Sequence, residues 1–327
     1  MGPYGMGFPA DGDDNNGWKL YILSIIMIVS AGLFVVLRLW TRIWSAQTGW
    51  DDGAVVGSWV MSLLVSVFMQ LAIENGYGKH KADLPTTHLR TALKLFFFAQ
   101  TPYKISVCFN KVAAILLYLR IFVSSRFRLA AFSVMAVIVA WSIGGVAATI
   151  WQCVPIAGAW DKSVNARCID SDKFWVAYAV MNILTDVMVL ALPIPSILGL
   201  QHLGRRDKLM LCCVFLLGGF VTVTSIMRTT SVQNSLKNKE DITFNFIDRG
   251  MWTLLEINLG IISACLLVMK QPLARIWPRI FRSRGRSAPV EMLPSSENLT
   301  LARVEGIEVS PSSSHQRGWR DHPRLQA

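Results

Sequence analysis

Six side chains able to do ionic or strong hydrogen-bonding chemistry stand inside stretches otherwise built from apolar residues: Lys104, Lys111, Asn182, Asp186, Arg228 and Glu256. A Lys, Asp or Glu at the centre of a bilayer costs about 2.5 to 3.5 kcal/mol, so such groups turn inward and pair. At ~1.5 Å per helical residue, Lys104, Asp186 and Glu256 each count to about 20 Å from the basic end of their stretch, and Arg228 to about 28 Å. Lys111, one heptad after Lys104, lies on the same helix side, and Asn182, one turn before Asp186, shares that residue's face. The expectation is a polar cluster at the floor of a cavity open to the outside. It reads either as a ligand site or as a set of ion pairs that lock helix packing. If an apolar setting kept one carboxyl protonated, Asp186 and Glu256 would also suit proton chemistry.

The elements that must position these groups are seven long apolar stretches: Trp18–Leu39, Ala54–Ile73, Leu93–Leu119, Leu129–Trp151, Phe174–Leu198, Leu209–Val232 and Met251–Met269. Each approaches or exceeds the ~18 to 20 residues that cross the hydrocarbon. Lipid offers the backbone no hydrogen-bond partners, so continuous apolar runs of this length predict helices. Hydrophobic residues make up 53% of the chain and charged residues 16%, well under the ~25% charge of soluble domains. The fold class predicted is all-α, a seven-transmembrane helix bundle.

Basic residues set its orientation. Arg38 and Arg42, Arg120, Arg126 and Arg128, then Arg205, Arg206 and Lys208 gather in one set of loops, and Lys270, Arg275, Arg279 and Arg282 follow the last stretch. The denser side is cytosolic by the positive-inside rule, which puts the N-terminus outside and the C-terminus in the cytosol. The net charge of +11 is therefore read as a topology signal, with no nucleic acid as partner. No basic run precedes the first stretch, so it is read as a retained span rather than a cleaved leader.

Outside the bundle, residues 1–17 form a flexible extracellular arm and 18–270 the membrane domain. Residues 271–282 read as an interfacial amphipathic segment or as a frayed end of the seventh helix, and 283–327 as a disordered cytosolic tail. Asn298, in an Asn-Leu-Thr pattern, would stay bare on the cytosolic side. Of six cysteines, Cys153 and Cys168 share the loop between stretches four and five. They read as a disulfide pinning a lid over the bundle, or as two free thiols. No His pair or CxxC pattern supports a metal, and the cofactor expectation is none.

Several local motifs occur in order: Gly49-Trp50-Asp51-Asp52 after Arg38 and Arg42, then Gly76-Tyr77-Gly78-Lys79-His80. Next come Lys111 before Tyr118-Leu119-Arg120-Ile121-Phe122, Cys153-Val154-Pro155, Cys168-Ile169-Asp170 and Asp186 before Leu192-Pro193-Ile194-Pro195. Leu217-Gly218-Gly219-Phe220 leads to Arg228, and Glu256 precedes Gly260-Ile261-Ile262-Ser263-Ala264-Cys265-Leu266. Together, over about residues 18–280, they resemble the fungal rhodopsin-domain family of integral membrane proteins, which includes receptor-like and satratoxin-cluster members. The resemblance implies a plasma-membrane or endomembrane protein. It departs from the family in having Lys111-Val112-Ala113 where Lys-Xaa-Ser is usual, and no cysteine in residues 1–17. No lysine stands at mid-membrane in the seventh stretch, so no retinal is expected.

The function expected is a receptor-like or accessory protein of the lipid bilayer that binds a small amphipathic ligand and has a link to secondary-metabolite biosynthesis. A cytosolic signalling partner would dock on Arg120–Arg128 and Arg205–Lys208. The alternative is a membrane-embedded enzyme of cyclase or isomerase type acting on a terpenoid or polyketide intermediate.

Overall fold

A computed structural model describes residues 5–8, 15–80, 83–161, 163–195, 216, 218–231 and 242–276. Among the described residues, seven helices carry the chain: α1 Gly17–Trp44, α2 Trp50–Glu74, α3 Thr86–Ile121, α4 Ser125–Ile150, α5 Ser171–Ala191, α6 over residues 218–231 and α7 Ile242–Ile276. Between α4 and α5, β1 (Cys153–Val154) pairs antiparallel with β2 (Arg167–Cys168), Cys153 opposite Cys168. A short 3-10 turn, Ile156–Ala159, lies between them.

Local chemistry explains the helix ends. The Gly49 backbone N–H donates to Asp52 Oδ2 at 3.0 Å and starts α2, as an acidic third residue does in a capped helix. Asp170 caps α5 by accepting from the Lys173 backbone N–H at 3.3 Å, and the Lys173 side chain holds the exposed Asp170 carboxyl below its usual range. Pro193 and Pro195 follow the end of α5, because proline lacks the donor and crowds the preceding turn.

Helix boundaries differ most from the sequence reading in three helices. The fifth helix ends at Ala191 instead of Leu198, and the third extends outward to Thr86. The seventh begins at Ile242 instead of Met251, so Asp248 and Arg249 are helical. Arg249 is buried, with its guanidinium carbon 3.5 Å from the Trp175 ring centroid. The seventh helix also runs six residues into the segment 271–282. The rest of that segment, the tail, most of the N-terminal arm, Arg205–Lys208, Cys212, Cys213 and Asn298 lie outside the described residues.

Paired contacts give the helix directions. Ser24 meets Gln70 at one end of α1 and Arg38 meets Asp52 at the other, so α1 and α2 run antiparallel. α7 runs with α1, since a Cβ on Gly250 would meet Leu20 and Arg38 Nη1 donates to the Ala264 carbonyl. α3 runs with α7 and α5 through Tyr103–Glu256, Asn110–Ile257 and Lys111–Asp186. α4 opposes α3, and α6 opposes α5, where Gly218 abuts Leu190 and Ser225 faces Asn182.

Among the described residues, five helices are long and apolar enough to cross a membrane: Gly17–Trp44, Trp50–Glu74, Ser125–Ile150, Asp172–Ala191 and Phe246–Met269. α3 is longer but carries Arg90, Lys94, Lys104 and Lys111. The outer surface suits lipid. On α1, Ile22, Ile26, Val29, Leu33 and Val36 recur at helical spacing and are all exposed. A row of this kind in water would be an aggregation liability. Inside, Leu20, Ile73, Tyr77, Phe96, Leu254 and Ile257 belong to the largest apolar cluster, toward the β1–β2 end.

Candidate functional site

Glu256, 4% exposed on α7, is the hub of the buried polar network. Its Oε1 accepts from Asn182 Nδ2 of α5 at 2.6 Å, and Ser225 Oγ of α6 lies at 2.8 Å. Its Oε2 accepts from the Tyr103 hydroxyl of α3 at 2.9 Å, and Arg228 Nε of α6 sits 2.7 Å away as an ion contact. Arg228 Nη2 is buried with no hydrogen-bond partner among the described residues, and the guanidinium lies 5.3 Å from the Tyr103 ring centroid.

Beside it, Lys111 Nζ is 3.0 Å from Asp186 Oδ1. The same ammonium reaches the Asn182 carbonyl at 2.8 Å, Asn182 Oδ1 at 2.9 Å and Thr185 Oγ1 at 2.6 Å. Ser225 Oγ is also 2.9 Å from Asp186 Oδ2. A hydroxyl has one hydrogen to donate, so Ser225 serves one of the two carboxylates at a time. Lys111 and Arg228 match Asp186 and Glu256 in charge, and the network as a whole is neutral.

Five of the six sequence candidates therefore meet: Lys111, Asn182, Asp186, Arg228 and Glu256. Lys104 does not. Its ammonium donates to the Gly145 carbonyl at 3.1 Å and contacts Thr149 Oγ1, both on α4, and lies 4.4 and 4.6 Å from the Tyr178 and Phe174 ring centroids. Among the described residues no carboxylate lies within ion-pair distance of it. The depth count differs because it ran to the end of the stretch Phe174–Leu198, whereas α5 stops at Ala191. Asp186 thus lies nearer that helix end, level with Lys111, and Arg228 joins the layer instead of standing above it.

Below the network, between α3, α5, α6 and α7, a cavity leaves about 90 Å³ open to a water-sized sphere. Lys111, Asp186 and Glu256 line one end, and Val107, Ala114, Val189, Leu190, Val221 and Leu267 form apolar walls. The lining residues run from the network toward the Arg120 end of α3. The Cys153–Cys168 disulfide is formed, but its loop sits at the opposite end of the bundle. There Arg90 pairs with Asp161, and Trp160 packs 5.3 Å from Phe97. The cavity is thus not the expected one beneath the loop, and Phe96, Tyr103 and Tyr178, with Trp175 and Phe246 packed against them, form an apolar cluster on the loop side of the network.

A second ionic cluster went unread in the sequence. Arg38, 1% exposed, contacts Asp51 Oδ2 at 2.6 Å and Asp52 Oδ1 at 2.8 Å, and Arg42 Nη2 contacts Asp51 Oδ2 at 3.0 Å. Arg120 Nη1 reaches Asp51 Oδ1 at 3.3 Å. Arg120, assigned to a cytosolic partner, is thus partly engaged within the chain, whereas Arg126 and Arg128 are exposed. Arg38 and Arg42 four residues apart, before two adjacent aspartates, were the available signal. Tyr103, Thr185 and Ser225 were missed because uncharged side chains in apolar runs carry none. Among the described residues, no group of three or more His, Cys, Asp or Glu side chains is placed to hold a metal.

The family described as fungal rhodopsin domain matches residues 37–275. The chain is 28% identical over 276 residues to the polyenoic acids biosynthesis gene cluster protein Ba17b of Metarhizium anisopliae, covering 80% of this chain and 75% of that one. It is 31% identical over 222 residues to a SAT4 family membrane protein of Emericella nidulans, covering 67% of this chain and 53%, about half, of that relative. The Receptor GIN3 of Arthrobotrys oligospora is 23% identical over 301 residues, 89% of this chain and 72% of that one. No solved structure matches.

Proposed function

The chain belongs to the fungal rhodopsin domain family, and on that premise we propose a receptor-like or accessory multi-pass membrane protein that binds a small amphipathic ligand in the cavity below Glu256. Seven passes place the Arg120, Arg126 and Arg128 end in the cytosol under the positive-inside rule, with the disulfide-bonded loop outside. The ligand then reaches the cavity from the membrane or the cytosolic side, not past the loop.

One observation carries this reading: an apolar cavity roofed by two carboxylates, each matched to its own cation. A pocket with apolar walls and a few convergent polar groups is the usual form of a small-molecule site. Glu256 also ties α3, α5 and α6 to α7, so filling the cavity bears on four helices together. At Glu256 binding is favoured over catalysis, because both its oxygens are already engaged by Asn182, Tyr103, Arg228 and the shared Ser225. None is left to take a proton from a substrate. Relatives named for a biosynthesis cluster and for a receptor support an accessory role in secondary metabolism and a sensing role respectively.

The test is mass spectrometry of small molecules released by unfolding protein purified from its native cells. Wild type should release an organic compound that is absent from the cavity-filling variant Ala114→Trp. Release of the same compounds from both would refute the site.

A further inference from the structure

Resting on the reading of the cavity as a ligand site, we infer that its occupant is a small uncharged amphiphile that donates a hydroxyl hydrogen to Asp186. The network is one hydrogen short. Ser225 Oγ stands 2.9 Å from Asp186 Oδ2 and 2.8 Å from Glu256 Oε1, with a single hydrogen for both. Lys111 spreads three N–H groups over four acceptors, the Asn182 carbonyl, Asn182 Oδ1, Thr185 Oγ1 and Asp186 Oδ1. Asp186 therefore holds one shared cation and one contested hydroxyl, while an ionised carboxylate offers about four lone-pair sites. A donor arriving from the cavity would fill a vacant site on Asp186 and release Ser225 to Glu256.

Charge narrows the class further. Both carboxylates and the Lys111 ammonium line the cavity, whereas Arg228, Tyr103 and Asn182 do not. An anionic ligand would face two carboxylates against one ammonium, Lys111, that Asp186 already holds. A cationic ligand would find each carboxylate already neutralised, and burying an unmatched charge is costly. A neutral alcohol meets neither penalty, and its hydrocarbon lies against Val107, Ala114, Val189, Val221 and Leu267. Water could supply the same hydrogen but would leave those apolar walls without contacts.

The test uses the full chain in phosphatidylcholine nanodiscs and fluorine NMR with terminally fluorinated hexanol, its methyl ether, hexanoate and hexylammonium. The alcohol should give a saturable bound resonance and bind at least tenfold more tightly than each of the others. Ala114→Trp and, as a second filling variant, Val221→Phe should abolish it. Equal or tighter binding of ether, carboxylate or ammonium in the cavity overturns the assigned chemistry and leaves the cavity reading intact. If no probe gives a resonance that the filling variants remove, including the case in which water alone completes the network, the inference fails. Release of a native compound in the preceding experiment then decides separately whether the cavity holds a ligand.

Discussion

Replacing Arg228 by methionine removes the cation 2.7 Å from Glu256 and leaves that carboxylate buried. Breaking one side of a buried pair costs about 3 to 5 kcal/mol. Asn182 and Tyr103 still donate to Glu256, which puts this variant near the lower figure. Glu256→Met is the harsher change. It leaves Arg228 with an Nη2 already lacking a partner and only the Tyr103 ring nearby, near the upper figure. The double variant strands the same neutral donors as Glu256→Met but leaves no unpaired guanidinium, so it should lose less than Glu256→Met alone. The coupling is then several kcal/mol, far outside the ~0.5 kcal/mol within which independent sites add. Detergent-driven unfolding in mixed micelles, followed by circular dichroism, reads all four proteins. Single losses that sum to the double loss would refute the pairing and the neutral network built on it.

Lys111→Met strands Asp186 and should cost about 3 to 5 kcal/mol, whereas Lys104→Met strands only a carbonyl and a hydroxyl and should cost about 1 to 2. The same unfolding assay gives the order. Asp51→Ala, which leaves Asp52 as the one carboxylate for both Arg38 and Arg42, should lose about 3 kcal/mol. Arg120→Gln, at a side chain 38% exposed, should lose under about 1 kcal/mol, and matched melting curves of the two check the contrast. Opening the Cys153–Cys168 disulfide, 15 residues apart in sequence, by Cys→Ser at both positions should cost about 3 kcal/mol. Reductant on the wild type should reproduce that shift in melting temperature.

The helices α1, α2 and α4 were legible because each is a continuous apolar run bounded by polar turns. α5 was misjudged because Leu192-Pro193-Ile194-Pro195 stays apolar after the backbone has left the helix; hydropathy reports the solvent and not the backbone. That error propagated into the site. A residue's depth is counted from a helix end, so misplacing the end of α5 grouped Asp186 with Lys104 instead of Lys111. Residues paired within one helix turn, such as Asn182 with Asp186, came through intact. The Arg38–Asp51 contact did not, because it depends on how residues 45–49 turn the chain, and periodicity carries no information about that. The side of the network on which the cavity lies was equally illegible, being decided by where aromatic rings fill space.

The Arg38–Asp51–Asp52 cluster has a mechanical consequence. Through it one end of α1 is stapled to α2, to the tip of α3 through Arg120, and to the Ala264 carbonyl of α7. Four helices are riveted at that end, and among the described residues α5 and α6 are tied in through Asn182, Asp186, Ser225 and Arg228 instead. Any rearrangement that starts at Asp186 or Ser225 therefore has a riveted frame to push against.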